Sequence, residues 1–532
     1  MPSVLCARKE VVRITDSVFK KKVLIVSLIV AALLVASKVV YGPSMIKKNL
    51  LEISLSSVYN KPLSNYDPAL IENAAQHIVL QNIYSPLLEY TNDGKLTSAI
   101  ASSFGWEGRD AYFKIRPGLK TLDGDNIDAY DVENTFKRLF ILKSNTHGDL
   151  KSTICQGVKL KSLNDRCPNI EVRQDGALLV IKLKKSNTYL FPMLTAMDYA
   201  IIPQKSLDKK SLKIIDYKNT SGPYWVEEKT DAHMVLRANP HSFHYSGKMP
   251  QKVEVIYPKD AKSNTPLNML IERKTNHIVT VGASPEILLS HFSNKSDVSM
   301  HLTEPIWLRY VSFTKRGRQE FSEKKRIKIL NTLKKILLGE FLKLNGYVDA
   351  PQLFPSFSKG SLSAEELFKI KSKYAAEPDG GVFTEKMVAW FFPKRYINKL
   401  KEHFPNTEFV DGENIPCFID YKSRGKAFPH FYFAGTDMGF QEDISLLSYK
   451  INTEKFYLTG KDGNSWIKEY IKEESDGKKI RMLKKLHYDT LDKAVTIPLV
   501  FCPYVAVVRT PWKMNFPRYT YDNNFWQLQY GE

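Results

Sequence analysis

Three histidines, His233, His241 and His244, fall close together, and "HSFHYS" sets two of them three residues apart, a spacing that could hold a metal. The run follows "RANP", whose Asn-Pro pair favours a turn, so an exposed loop is the expectation there. Of five cysteines, Cys155, Cys167, Cys417 and Cys502 could form two bridges in an oxidising compartment, while Cys6 stands apart near the N-terminus. Cys155 and Cys167 enclose a short loop with the turn chemistry of "NDRCP", which makes them a plausible pair. Cys417 in "NIPCFIDYK" and Cys502 in "IPLVFCPYV" sit in strand-like runs and either pair or stay as buried thiols. There is no CxxC, GxSxG, HExxH, GxxxxGK[ST] or GxGxxG. The chain is therefore not expected to be an enzyme or to carry a metal or cofactor. A hydrolase is the alternative from that class.

With little chemistry in its spacings, the sequence speaks mainly through the elements that would build a site. A chain of 532 residues is too long for one hydrophobic core, so two or three lobes are expected. Hydrophobic residues at 43% and aromatics at 12% can fill them. Lys and Arg exceed Asp and Glu by 77 to 57, a net charge of +20. That charge is spread along the chain without a recognition motif, so nucleic acid is not an expected partner. It suits anionic membrane surfaces or acidic partners.

Near the start, three lysines precede the uncharged run Val23 to Ser37. Residues 1–42 read as a signal peptide or an N-terminal membrane anchor, the basic residues before the run holding the start inside. Either reading sends the rest of the chain across a membrane, to the periplasm or another extracytoplasmic space, with anchoring to the inner membrane left open.

Beyond it, short strands and amphipathic helices alternate irregularly, which predicts an α/β (mixed α+β) fold rather than a barrel or repeat array. "LLEISLSS" (Leu50 to Ser57) reads as a strand, and "IENAAQHIVLQNIY" places Ile71, Ala75, Ile78, Val79 and Ile83 on one helical face. "AYFKIRPG" is a strand stopped by Pro117 and Gly118, "LDGDNI" turns at Asp123-Gly124, and Asp128 can cap the following helix. In "FSEKKRIKILNTLKKILLGEFL", Ile329, Leu333, Ile336, Leu337 and Phe341 recur at helical spacing. A second such helix, Gly477 to Lys493, feeds into the apolar "AVTIPLVFCPYVAVV". There Pro498 and Pro503 should put the strand at an edge or break it.

Several of these stretches, in order, resemble the family 5 extracellular solute-binding proteins, the peptide, dipeptide and nickel receptors of ABC importers. The matching residues begin with Asn82, Ile83, Tyr84 and Leu87, then Gly94, Leu96, Ala101 and Phe104. Tyr112, Arg116 and Gly118 follow, then Asp123-Gly124, Ala129-Tyr130-Asp131-Val132 and Arg138. "SGPYWVEE", "LRANPHSF" and "AVTIPLVF" resemble later family segments, so the likeness runs from about residue 50 to 510.

The resemblance implies a periplasmic-binding-protein-like two-lobe clamp with an extra small subdomain. Its first lobe would take residues 43–80, 187–290 and 500–532, the small subdomain 81–186, and the opposing lobe 291–499. It implies a monomer that captures oligopeptides between the lobes and delivers them to an ABC permease in the inner membrane. A membrane-tethered peptide sensor or chaperone, or a receptor for haem, nickel or a sugar, would use the same scaffold. The lipid-anchoring cysteine that many members carry after the leader is missing, since Cys6 precedes the apolar run. In the family an Asp of the opposing lobe meets the peptide α-amino group. "FYFAGTDMGFQEDISLL" makes Asp437 that residue here, with Gly435 and Thr436 beside it. "IWLRYVSF" resembles the strand whose aromatic residues line the family's cleft, which points to Trp307 and Tyr310 as ligand-binding residues.

Overall fold

The computed structural model describes residues 50–531 apart from 55–65, 72–73, 143–150, 152–153, 156–157, 184–189, 259–264, 281–283, 356–357, 379, 411–428, 437–464, 467–468, 471–472, 474 and 520–522. Cys6, the apolar run Val23–Ser37, Cys417 and Asp437 thus lie outside the described residues. Among the described residues no helix is long and apolar enough to cross a membrane.

Two large sheets organise the chain. The first has seven strands, in the order Val298–Leu302, Val505–Arg509, His277–Val279, Leu50–Ser54, Lys252–Ile256, His233–Ala238 and Tyr224–Lys229. Leu50–Ser54 runs parallel to both its neighbours, and the other pairs are antiparallel. A parallel central strand needs cover on both faces, and "LLEIS" buries Leu51 and Ile53 at 0% exposure on one face and Leu50 at 7% on the other. Val298–Leu302 falls in the stretch 291–499 expected for the opposing lobe, but its antiparallel pairing with Val505–Arg509 makes it an edge strand of this first sheet.

The second sheet has six strands, in the order Val348–Asp349, Thr496–Cys502, Trp307–Phe313, Phe431–Thr436, Met387–Trp390 and Thr407–Val410. Helix Glu323–Phe341 packs on it, started by Ser322, whose Oγ accepts from Lys325 N at 3.3 Å. Ile329, Leu333, Ile336, Leu337 and Phe341 are all buried, as their spacing predicts. Burying each such side chain stabilises the fold by about 1.5–3 kcal/mol. Helix Asp476–Asp492 then leads into Thr496–Cys502.

The two prolines act differently. Pro498 is accommodated within the strand: the register with Trp307–Phe313 shifts there, Arg309 pairing with Val500 and Tyr310 with Pro498. The short strand on its other side reaches only Val500 and Phe501, so Pro498 deprives no neighbour of a donor. Pro503 does break the run, where the chain leaves one sheet for the other.

A third, smaller body holds the four antiparallel strands Ala101–Glu107, Asp110–Ile115, Leu178–Ile181 and Ile170–Arg173 under helix Ala129–Leu142. Asp128 caps that helix, its Oδ1 accepting from Tyr130 N at 2.8 Å. Gly124, at φ 90°, makes the expected turn. Cys155 and Cys167 form a disulfide in this body, and Cys502 is a free, buried thiol.

Candidate functional site

The chain passes between the two large sheets at two neighbouring places. Residues 303–306 lead out from Val298–Leu302 to Trp307–Phe313, and Pro503–Tyr504 lead back from Thr496–Cys502 to Val505–Arg509. The crossings are tied side by side: Thr303 N donates to Tyr504 O at 3.1 Å, and Tyr504 N donates to Thr303 Oγ1 at 2.9 Å. Two short connections bonded to each other let two rigid sheets rotate while keeping their spacing, the geometry of a hinge.

At the end of the six-stranded sheet beside these crossings stand several of the residues expected in the site. Trp307 opens the outgoing strand and stacks on Tyr504, ring centroids 4.7 Å apart and planes 5° from parallel. The Arg309 guanidinium lies over the Trp307 ring at 3.7 Å from its centroid. Gly435 pairs with Arg309 in register and Thr436 with Leu308. A Cβ at Gly435 would fall 2.6 Å from Trp307 Nε1 and 2.9 Å from Arg309 Nη1, so the close packing here depends on glycine. Asp437 comes directly after Thr436 in sequence but lies outside the described residues.

Tyr310 is placed differently from Trp307. An odd separation along a strand puts the two side chains on opposite faces. Tyr310 is fully buried, its ring edge-on to Tyr432 at 6.4 Å, so its side chain belongs to the core of this body. Thr436 is 7% exposed. Arg309 was not among the residues expected here. An arginine inside the apolar run "IWLRYVSF" is a signal that could have found it, because a buried guanidinium needs partners.

Cys502 also borders this place, its thiol donating to Trp307 O at 3.4 Å, and burial pushes that thiol up to about 12. It is an inert packing group rather than a nucleophile. The histidine run separates: His241 is exposed in the turn, as expected, whereas His244 stacks on Trp526 at 3.7 Å and pairs with Glu89 at 3.2 Å. Among the described residues no group of three His, Cys, Asp or Glu side chains could hold a metal ion.

Three residues of the stretches that carried the resemblance, Asn82, Arg138 and Gly222, join segments distant in sequence. Asn82 is fully buried; its Nδ2 donates to Asn523 O at 3.1 Å and its Oδ1 accepts from Phe525 N at 2.7 Å. Arg138, 1% exposed, pairs with Asp67 and donates from Nε to Leu212 O at 2.7 Å. Gly222 of "SGPYW" donates its N–H to Ile83 O at 3.0 Å, and a Cβ there would sit 2.5 Å from the Ile83 carbonyl carbon.

Residues 95–328 match the family described as "Bacterial extracellular solute-binding proteins, family 5 Middle". No curated protein matches the chain in sequence. Among solved structures, the chain is similar to a periplasmic oligopeptide-binding protein of an oligopeptide ABC transporter from Borrelia burgdorferi, with TM-score 0.69 and 16% identity over 90% of this chain and 99% of that one. NikA from Brucella suis in complex with Fe(III)-EDTA gives the same TM-score, identity and coverage. The chain is also similar to the ABC transporter-associated periplasmic binding protein DppA from Helicobacter pylori in complex with the peptide STSA, at TM-score 0.65 and 14% identity over 91% of this chain and 98% of that one. At such identities these likenesses speak for the fold alone, a mixed α/β two-lobe clamp. Residues 95–328 thus match family 5 of the bacterial extracellular solute-binding proteins, and the chain as a whole has the clamp fold of these solved structures.

Proposed function

We propose that the protein captures oligopeptides between its two large sheet bodies, outside the cytoplasm, and delivers them to an ABC permease without chemical change. The paired crossings beside Trp307, Gly435 and Thr436 carry this reading, because they combine a hinge with a place where one jaw meets the other. The jaws are residues 43–80 with 187–302 and 505–532 on one side and 307–502 on the other, with 81–186 as the small body beside the first. The expected boundaries at 290 and 500 shift because Val298–Leu302 pairs in the first sheet and Thr496–Cys502 in the second. Ligand would shift an equilibrium between lobe arrangements, one of them being recognised by the permease. The protein acts as a monomer, and its N-terminal apolar run is the leader or anchor.

Asp437 would meet the peptide ammonium, a role that suits a carboxylate because an ammonium taken from water needs an opposite charge. Asp437→Ala should weaken peptides with free amino termini about tenfold or more while changing N-acetylated ones little. Calorimetric titration of both peptide series against both proteins tests this. Equal affinities across all four combinations would remove Asp437 from the site. A second reading, a receptor for a chelated metal, is favoured by the equal likeness to NikA with Fe(III)-EDTA. Under that reading, Fe(III)-EDTA would bind and the peptides would not.

A further inference from the structure

Helix Pro285–Phe292 lies in sequence between two strands of the seven-stranded sheet, His277–Val279 and Val298–Leu302. Its Glu286 is 3% exposed, an unusual place for a carboxylate unless cations answer it. Those cations come from the other body. Arg395, in the first turn of helix Lys394–His403, brings Nη2 to 3.3 Å from Glu286 Oε2. The charge of Arg309, in the outgoing strand, and the hydroxyl of Tyr347 also favour the ionised form of Glu286. Burial would raise the Glu286 carboxyl, yet Arg309, Ser284, Arg395 and Tyr347 outweigh that effect and hold it below the usual carboxylate range. Glu286 is therefore ionised at neutral pH. Arg309 Nε is buried and finds no acceptor among the described residues, so Arg309 answers Glu286 through its field rather than a bidentate clasp.

We propose that Glu286, with Arg309 and Arg395, forms an ionic latch across the two sheet bodies that favours the arrangement of lobes seen here. The latch rests on the clamp reading but not on the identity of the ligand. Arg309 also lies over the Trp307 ring, so the latch adjoins the stacked rings at the crossings. Rotation about those crossings would move the helix carrying Glu286 relative to Arg395 and leave a desolvated carboxylate less well answered, which disfavours the rotated state. Removing either charge should thus change the balance between arrangements, and ligand affinity with it, while the groups that hold the ligand stay the same. Glu286 and Arg395 are positioning residues in this scheme.

The test is made without ligand, so that its failure leaves the peptide reading standing. Spin labels are placed at Asp231, exposed in the turn between Tyr224–Lys229 and His233–Ala238, and at Phe368, 69% exposed on helix Ala364–Ala375, in a chain with Cys6 and Cys417 replaced by serine. Pulsed electron–electron resonance then reads the distance distribution. Glu286→Gln and Arg395→Gln should each shift the ratio of the two distance populations roughly threefold or more, while Arg395→Lys, which keeps the charge, should leave it near the native one. Distributions for Glu286→Gln and Arg395→Gln that superimpose on the native one would overturn the latch. Should Glu286→Gln fail to fold, Arg395→Gln alone decides, because that side chain is 41% exposed and its loss leaves the core intact.

Discussion

The rings of Trp307 and Tyr504 lie flat against each other, 4.7 Å between centroids, one at the start of the strand leaving for the six-stranded sheet and the other in the link that returns. The stack therefore joins the two crossings through side chains, as Thr303 and Tyr504 join them through the backbone. Tyr504→Ala should lower the unfolding free energy by about 1–3 kcal/mol, combining the lost stack with lost burial. Tyr504→Phe keeps the ring and should lose less. Urea titrations of both variants check the order, and equal losses would place the contribution of Tyr504 in its hydroxyl.

The buried Arg138–Asp67 pair should be costly to break from one side. Asp67 is 4% exposed, so Arg138→Met leaves a desolvated carboxylate with its cation gone. A loss of about 3–5 kcal/mol is expected. Adding Asp67→Asn to Arg138→Met should restore part of it, because the stranded charge is then removed. Equilibrium unfolding of the two single variants and the double measures the coupling, and simple additivity would contradict it.

Asp131 gives a pH signature. Burial raises its carboxyl from 3.8 to about 6, against hydrogen bonds from Gln204 N and Asp128 N that favour the charge. The folded protein thus holds this proton more tightly than the unfolded chain. The resulting stability is fully present below 3.8 and is lost as pH rises through about 6. Asp131→Asn keeps an acceptor for Gln204 and cannot titrate. The native protein should gain on the order of 2–3 kcal/mol relative to this variant as pH falls from about 6.5 to 3.5. Thermal midpoints measured across that range would refute the assignment if the two curves ran parallel.

The Cys155–Cys167 disulfide closes a loop of sequence separation 12 in the small body. Replacing both cysteines with serine should reduce the stability of that body by about 2–3 kcal/mol. Limited proteolysis between residues 143 and 189 should become faster, and unchanged cleavage rates would show that the loop is held by other contacts.

Features set by neighbours in sequence were legible, and those set by distant partners were not. The cap at Asp128, the turn at Gly124 and the buried stripe of Glu323–Phe341 follow from local spacing, and the structure has all three. The break at Pro503 was likewise readable. The tolerance of Pro498 was not, because it depends on where a two-residue strand ends and where the register shifts. Trp307 could be singled out as an aromatic in a strand, but its partner Tyr504 comes from the far end of the chain. The burial of Tyr310 was half legible, since strand alternation already separates it from Trp307. Nothing local marked Glu286, whose ion-pair partner Arg395 comes from the other body.

Native mass spectrometry of the purified protein with an equimolar set of tri- to nonapeptides is the most direct test of a peptide receptor that leaves its cargo intact. The account predicts one-to-one complexes that release peptides of unaltered mass. Absence of any complex at tens of micromolar peptide, or the appearance of fragment masses, would contradict it.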